Sequence, residues 1–212
     1  MTANITIPEE LLKQIHEDLH RTHPFAGERV GFITCRSSRV NDAWQLTAMQ
    51  YEAVADGEYI DDPTVGASVS GAAFRRLMMR AHAEPLSVFH VHRHDHRGTP
   101  NFSPVDRREN ARFVPDFLTV RPELPHGAVV LSYDDARAHV WDPLESEQPT
   151  AARLCIAAVS NKQGVHHEQS TQQAELSGSG VGRAPAGGLR RRHWAVRWWL
   201  ACVAAVGAYW HR

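Results

Sequence analysis

The chain has 212 residues, a formal net charge of −1 and 42% hydrophobic side chains, enough to build one core with an appendage. The balanced charge, without a long run of one sign, gives no indication of a nucleic-acid or acidic partner. The three cysteines, Cys35, Cys155 and Cys202, share neither a metal-binding spacing nor a plausible disulfide framework. Because the first residues also lack a basic-then-apolar signal peptide, we expect a cytoplasmic protein.

Hydrophobic periodicity predicts helices and strands along the first 142 residues. A helix is expected to begin at Pro8, because proline suits the first turn and Glu9 and Glu10 then lie near its positive end. The other predicted elements are, in chain order, strands over 28–35 and 44–50, a loop over 55–67, a helix over 70–80, a strand over 86–89, a helix from 104 and a hairpin over 127–141.

Candidate metal ligands follow the short apolar strand 86–89. His90 and His92 are two residues apart, so on a strand their imidazoles point to the same face. Ser103 is a good N-cap for a helix that starts with proline, which places Asp106 in the first turn of that helix. Two imidazoles and one carboxylate leave a fourth tetrahedral position open, as in a catalytic zinc site.

The sequence His90-Val91-His92, followed by Ser103-Pro104-Val105-Asp106, resembles the motif of the JAMM (JAB/MPN) zinc metalloprotease family, in particular its bacterial ThiF-associated type. The family usually has about seven residues between the second histidine and the serine. This chain has ten, from 93 to 102. His94 and His96 are also two apart and lie nearer the serine, so they stay open as alternative ligands or as hydrogen-bond partners of the ligands. We favour His90 and His92 because they lie directly at the strand end.

In this family a catalytic glutamate stands at the start of the first strand after the first helix, and Glu28 occupies that place. Glu52 and Glu58 are weaker candidates, since both fall in a later strand or loop. The resemblance implies a Zn²⁺ site formed by the catalytic residues Glu28 (general base) and Ser103 (oxyanion donor) and by the metal ligands His90, His92 and Asp106.

Other metal-binding patterns fit less well. The metallo-β-lactamase motif His-x-His-x-Asp-His would need histidines at two positions that hold Val91 and Arg93. An amidohydrolase barrel also begins with His-x-His after a strand, but it needs roughly 250 residues. The remaining alternative is a solvated histidine-rich loop that binds metal adventitiously.

The resemblance also implies a fold and an activity. The expected fold is a three-layer α/β/α JAB/MPN domain, similar to cytidine deaminases, with a curved mixed sheet. The expected activity is a zinc-dependent isopeptidase or peptidase that cleaves after the C-terminal tail of a ubiquitin-like or sulfur-carrier protein, with an E1-like (ThiF-type) adenylating protein as a further partner. The alternative is a non-catalytic MPN-type scaffold that binds its partner without metal.

Composition divides the chain into three parts. We assign the metalloprotease domain to 1–142, a disordered linker rich in Gln, Ser and Gly to 143–188, and a basic, tryptophan-rich apolar tail to 189–212. The apolar stretch Trp194–Trp210 has 17 residues and contains Arg197, whereas a spanning helix needs about 20 apolar residues. We therefore expect no membrane span, although a membrane anchor and a shifted reading frame both stay open as origins of the tail.

Overall fold

Seven strands and three α-helices follow one another along the described part of the chain. The computed structural model describes residues 2–144 and 148–158, which belong to the compact unit Met1–Ser160. The α-helices are α1 (Glu9–Leu19), α2 (Gly71–Ala83) and α3 (Pro104–Val120), and one turn of 3₁₀ helix covers Asp56–Glu58. The strands are β1 (Ala3–Pro8), β2 (Val30–Val40), β3 (Ala43–Ala53), β4 (Ser87–Arg93), β5 (His126–Leu131), β6 (Ala136–Trp141) and β7 (Thr150–Ala157).

The strands close into a mixed barrel in the order β1-β3-β2-β4-β5-β6-β7. The pairs β1–β3, β1–β7 and β4–β5 are parallel, and the other neighbouring pairs are antiparallel. The predicted three-layer α/β/α JAB/MPN fold is therefore wrong. The reason lies in β1 and β7, which the sequence analysis did not predict. Because β1 hydrogen-bonds to β3 on one side and to β7 on the other, the sheet of the described residues closes on itself.

Alternating side chains of β4 belong to two separate apolar cores. Phe89 and Val91 lie in a cluster that draws on every strand of the barrel and on Ile15 and Leu19 of α1. Val88 points the other way, into a second cluster formed with residues of α2 and α3. His90 and His92 alternate with Phe89 and Val91 and therefore share the face that α2 and α3 cover.

The folded part of the chain extends past Asp142. Strand β7 pairs with β6 and β1, although it falls in the segment 143–188 that the composition indicated as a linker. The predicted tail 189–212 lies outside the described residues. Within 2–144 and 148–158, no helix has the length and apolarity needed to cross a membrane.

A buried histidine connects the strands to the helices behind them. Nδ1 of His126 accepts a hydrogen bond from the backbone N–H of Val88 (3.0 Å), so the ring proton is on Nε2, which lies 3.4 Å from the carbonyl oxygen of Arg121. The Arg121 guanidinium in turn donates to the carbonyl oxygens of Ala81 and His82 at the end of α2. Burial lowers the pKa of His126 to about 4, so the folded chain holds this ring neutral.

We expect the free energy of unfolding of the metal-free protein to fall as the pH drops from about 6.5 to about 4. In this range His126 binds a proton in the unfolded chain but stays neutral in the folded chain. This one group contributes at most about 3 kcal/mol over that range. The change His126→Asn keeps an acceptor for Val88 but cannot titrate, so its free energy of unfolding should fall less steeply. Urea unfolding at a series of pH values measures this, with exposed His82→Asn as the control. Identical slopes for His126→Asn and the parent chain would contradict the assignment.

Candidate metal centre

The register between β2 and β4 brings a glutamate to the histidines. Val30 pairs with His92 across these antiparallel strands. Glu28 precedes Val30 by two residues, so it comes level with His94, the first residue after β4. The backbone N–H of His94 donates to the carbonyl oxygen of Leu131 (2.9 Å), which holds this part of the chain beside the end of β5.

The start of α3 fixes the third candidate ligand, Asp106. Ser103 is the N-cap, as predicted, and its Oγ accepts from the backbone N–H of Asp106 at 3.1 Å. The backbone N–H of Ser103 donates to Oδ2 of Asp106 at 2.6 Å, which completes a capping box. The Ser103 backbone therefore restrains the Asp106 carboxylate, and the Ser103 side chain restrains the Asp106 backbone. Accepting from the helix leaves the Ser103 hydroxyl proton free in principle to donate elsewhere.

Three side-chain atoms converge at this point. Nε2 of His92 and Nε2 of His94 are 3.2 Å apart. Oδ2 of Asp106 lies 3.4 Å from the first and 3.5 Å from the second. A carboxylate oxygen of Glu28 lies within 4.8 Å of both imidazole atoms. His92 is buried, while the other three residues are partly exposed.

The spacing of these atoms is compatible with a bound metal ion. Nitrogen–oxygen distances of 3.4 and 3.5 Å exceed the usual hydrogen-bond range of about 2.7–3.2 Å. A tetrahedral Zn²⁺ with ligand bonds of about 2.0–2.1 Å separates its ligand atoms by roughly 3.3–3.4 Å. Two imidazoles and one carboxylate also leave one tetrahedral position open. The donor set is therefore one that could hold a divalent metal ion such as Zn²⁺.

The structure brings His94, and not His90, to this group. Counted from His94, the spacer to Ser103 covers 95–102, eight residues, close to the family's usual length. Nδ1 of the exposed His96 lies 2.9 Å from the carbonyl oxygen of Arg97, outside the group. The preference for His90 rested on the strand end, but β4 continues to Arg93, so His90 lies three residues inside the strand.

His90 lies in an aromatic environment behind His92. Its ring stacks on that of His92 with centroids 5.4 Å apart, and it meets Phe113 and Phe32 edge-on at 5.2 and 5.8 Å. Burial, followed by the neighbouring charge of His92, lowers the pKa of His90 to about 3. The Nδ1 atoms of His90 and His92 are buried and have no hydrogen-bond partner among the described residues. These features make His90 a neutral packing residue beneath the group.

The two carboxylates of the site have opposite pKa shifts. Burial disfavours ionisation of Asp106, but its contact with His92 and the hydrogen bonds from Ser103 outweigh this and hold its pKa below the usual range. For Glu28, burial is the largest cause, the Asp106 charge adds to it, and the pKa is raised despite the opposing charges of His92 and His94. Asp106 is therefore kept ionised, whereas Glu28 can carry a proton. Acid–base chemistry needs two carboxyl groups whose pKa values differ in this way.

A cavity of about 180 Å³ opens beside Glu28. Its walls come from the end of α1, the chain leading into β2 and the end of β4, and include His20, His23, Arg29 and Arg93. Arg93 donates to a carboxylate oxygen of Asp95 at 2.9 Å, so its charge is paired. The cavity therefore places a mostly polar space beside Glu28, while His92, His94 and Asp106 lie outside its walls.

No protein-family model matches the chain, and no curated protein matches it. Among solved structures, the chain is similar to the N-terminal domain of STIL from Trichoplax adhaerens, with 14% sequence identity over 62% of this chain and a TM-score of 0.29. The chain spans 39% of the length of that structure. A likeness at this level supports no conclusion about fold or function, so the candidate metal centre is argued from its own residues.

Proposed function

We propose that the protein is a zinc-dependent isopeptidase or peptidase that uses a JAMM-type set of residues on a barrel. The observation that carries this proposal is the triangle of His92 Nε2, His94 Nε2 and Asp106 Oδ2, with sides of 3.2 to 3.5 Å and Glu28 within 4.8 Å of both histidines. The proposal rests on these residues and their order in the sequence. It does not rest on the JAB/MPN fold, which the barrel contradicts.

In this proposal His92, His94 and Asp106 hold the metal. A Zn²⁺ held by these three residues would lower the pKa of a coordinated water to roughly 7 and would polarise a substrate carbonyl. The capping box keeps Asp106 ionised and fixed for this purpose. His92 takes its orientation from the buried end of β4, and His94 from its backbone hydrogen bond to Leu131.

Glu28 serves as the general base and then as the general acid. Its raised pKa makes it ready to accept a proton from the attacking water and return it to the leaving amine. The cavity beside Glu28 provides space for the substrate next to this carboxyl. The Ser103 hydroxyl donates a hydrogen bond to the oxygen of the tetrahedral intermediate. A hydrogen bond from a donor of this type stabilises the transition state by about 3 kcal/mol.

The motif resemblance supports the choice of substrate. His-x-His and Ser-x-x-Asp with an upstream glutamate are the residues of enzymes that cleave after the C-terminal tail of ubiquitin-like or sulfur-carrier proteins. We therefore propose such a protein, or its conjugate, as the substrate and an E1-like (ThiF-type) adenylating protein as a partner. We place the reaction in the cytoplasm, and the free thiols of Cys35 and Cys155 are compatible with that compartment.

The ligand assignment predicts which histidines are needed for zinc. We expect His92→Ala and His94→Ala to bind less than one tenth of an equivalent of zinc, because each removes one corner of the triangle. His96→Ala, two residues further along, and His90→Leu, which replaces a packing ring by an apolar side chain, should bind about one equivalent. Metal analysis after zinc reconstitution and gel filtration measures this. Zinc retained in His94→Ala but lost in His90→Leu would show that the ligand pair is His90 and His92.

The role of Glu28 predicts a separation of binding from turnover. Glu28→Gln keeps the size of the side chain but removes the base, so zinc should stay bound while turnover falls by at least about 100-fold. A candidate assay substrate is any ubiquitin-like protein encoded beside this gene, with residues still attached beyond its C-terminal glycine. Glu10→Gln on the exposed side of α1 is the control and should leave turnover unchanged. If the parent chain binds less than one tenth of an equivalent of zinc, the protein is instead a metal-free scaffold.

A further inference from the structure

The Glu28 carboxylate is held in place by packing, not by hydrogen bonds. Among the residues described, none donates a hydrogen bond to its oxygens, although the side chain is partly buried. The backbone N–H of Glu28 does donate to the carbonyl oxygen of Gly66 at 3.1 Å. The side chain also lies directly against Gly66, since a Cβ added to that glycine would come 2.6 Å from Cδ of Glu28 and closer still to Oε1.

Gly66 belongs to a loop that is anchored at both ends. Tyr59 and Val69 form an isolated antiparallel bridge, and the N–H of Ile60 donates to the carbonyl oxygen of Ser68 at 2.9 Å. Nearer the tip, the Asp62 carboxylate accepts from the backbone N–H of Thr64 at 3.0 Å. These bonds give the loop a defined path, so the Gly66 backbone is a fixed surface for the Glu28 side chain.

We propose that Gly66 is a positioning residue for Glu28, and this inference rests on the proposed function of the site. A methyl group at position 66 would occupy the space of the carboxyl. Gly98 is the described glycine with a positive φ, whereas Gly66 has a backbone conformation that any residue can adopt. The Gly66→Ala substitution therefore causes no backbone strain and acts only through the steric clash with Glu28. The tip of the Glu28 side chain is the part that can move to relieve this clash.

Such a movement separates Glu28 from the water that it must deprotonate. Ordinary contact between carbon atoms needs about 3.5 Å, so the carboxyl carbon has to shift by roughly 1 Å. A misplacement of about 1 Å in a reacting group lowers turnover by about 100-fold. His92, His94 and Asp106 stand on other elements, so zinc binding is left intact.

Crystal structures of Gly66→Ala and of a matched control, Gly57→Ala, test the inference without an activity assay. The added methyl group of the control meets no atom within 4 Å. In Gly66→Ala the Glu28 carboxyl should move by about 1 Å or more while His92, His94 and Asp106 superpose on the parent structure. In Gly57→Ala all four side chains should stay in place. If the loop that contains Gly66 moves instead and the Glu28 carboxyl stays in its place, the proposal is wrong.

Turnover in two backgrounds separates positioning from a general structural effect. Gly66→Ala should lower turnover by about 100-fold with one equivalent of zinc bound, and it should cause no further loss when added to Glu28→Gln. A further loss in that background, or a loss of zinc, would mean that Gly66 supports the site as a whole and would contradict the proposal. If the parent chain binds zinc but cleaves nothing, the proposed hydrolase is wrong, and a displaced Glu28 carboxyl in the crystal structure still supports the positioning role.

Discussion

One carboxylate oxygen, Oδ2 of Asp106, connects the fold to the proposed chemistry. It accepts the hydrogen bond from the Ser103 N–H that begins α3, and it faces both His92 and His94. A helix start needs acceptors for its first N–H groups, and a metal needs an ionised oxygen. The same carboxylate meets both needs, because the capping box holds it in place and because His92, with the Ser103 hydrogen bonds, lowers its pKa. Moving the start of α3 by one residue would take the Asp106 carboxylate, the third candidate ligand, away from the two histidines.

The remaining site residues depend on where strands begin and end. Glu28 lies just before β2, and His94 just after β4, and the pairing of Val30 with His92 places them at one end of the barrel. Residues at strand ends keep one side packed and the other open, which explains the partial exposure of Glu28 and His94. The cavity beside Glu28 lies at this same end. The barrel and the start of α3 thus hold His92 and Asp106, and the segments next to β2 and β4 hold Glu28 and His94.

The sequence predicts local structure well, but it does not predict that the sheet closes into a barrel. Ser103 and the start of α3 could be predicted because capping depends on neighbouring residues. The barrel could not, because β1 pairs with two strands far along the chain, β3 and β7, and because β7 follows a Pro- and Glu-containing segment typical of a linker. The candidate ligand pair depended on the end of β4, which lies at Arg93, four residues beyond the predicted end, so that His94 and not His90 lies with His92 beside Asp106. Gly66 has no side chain, so no sequence motif could have indicated its contact with Glu28.

The most direct test of this account is the crystal structure of the zinc-loaded protein, with diffraction data on both sides of the zinc absorption edge. The account predicts one anomalous peak about 2 Å from His92 Nε2, His94 Nε2 and Asp106 Oδ2, with the Glu28 carboxyl close by but not bound. It also predicts that the His90 ring stays packed against Phe113. A peak bound by His90, or no peak within the triangle at full zinc loading, would contradict the central claim.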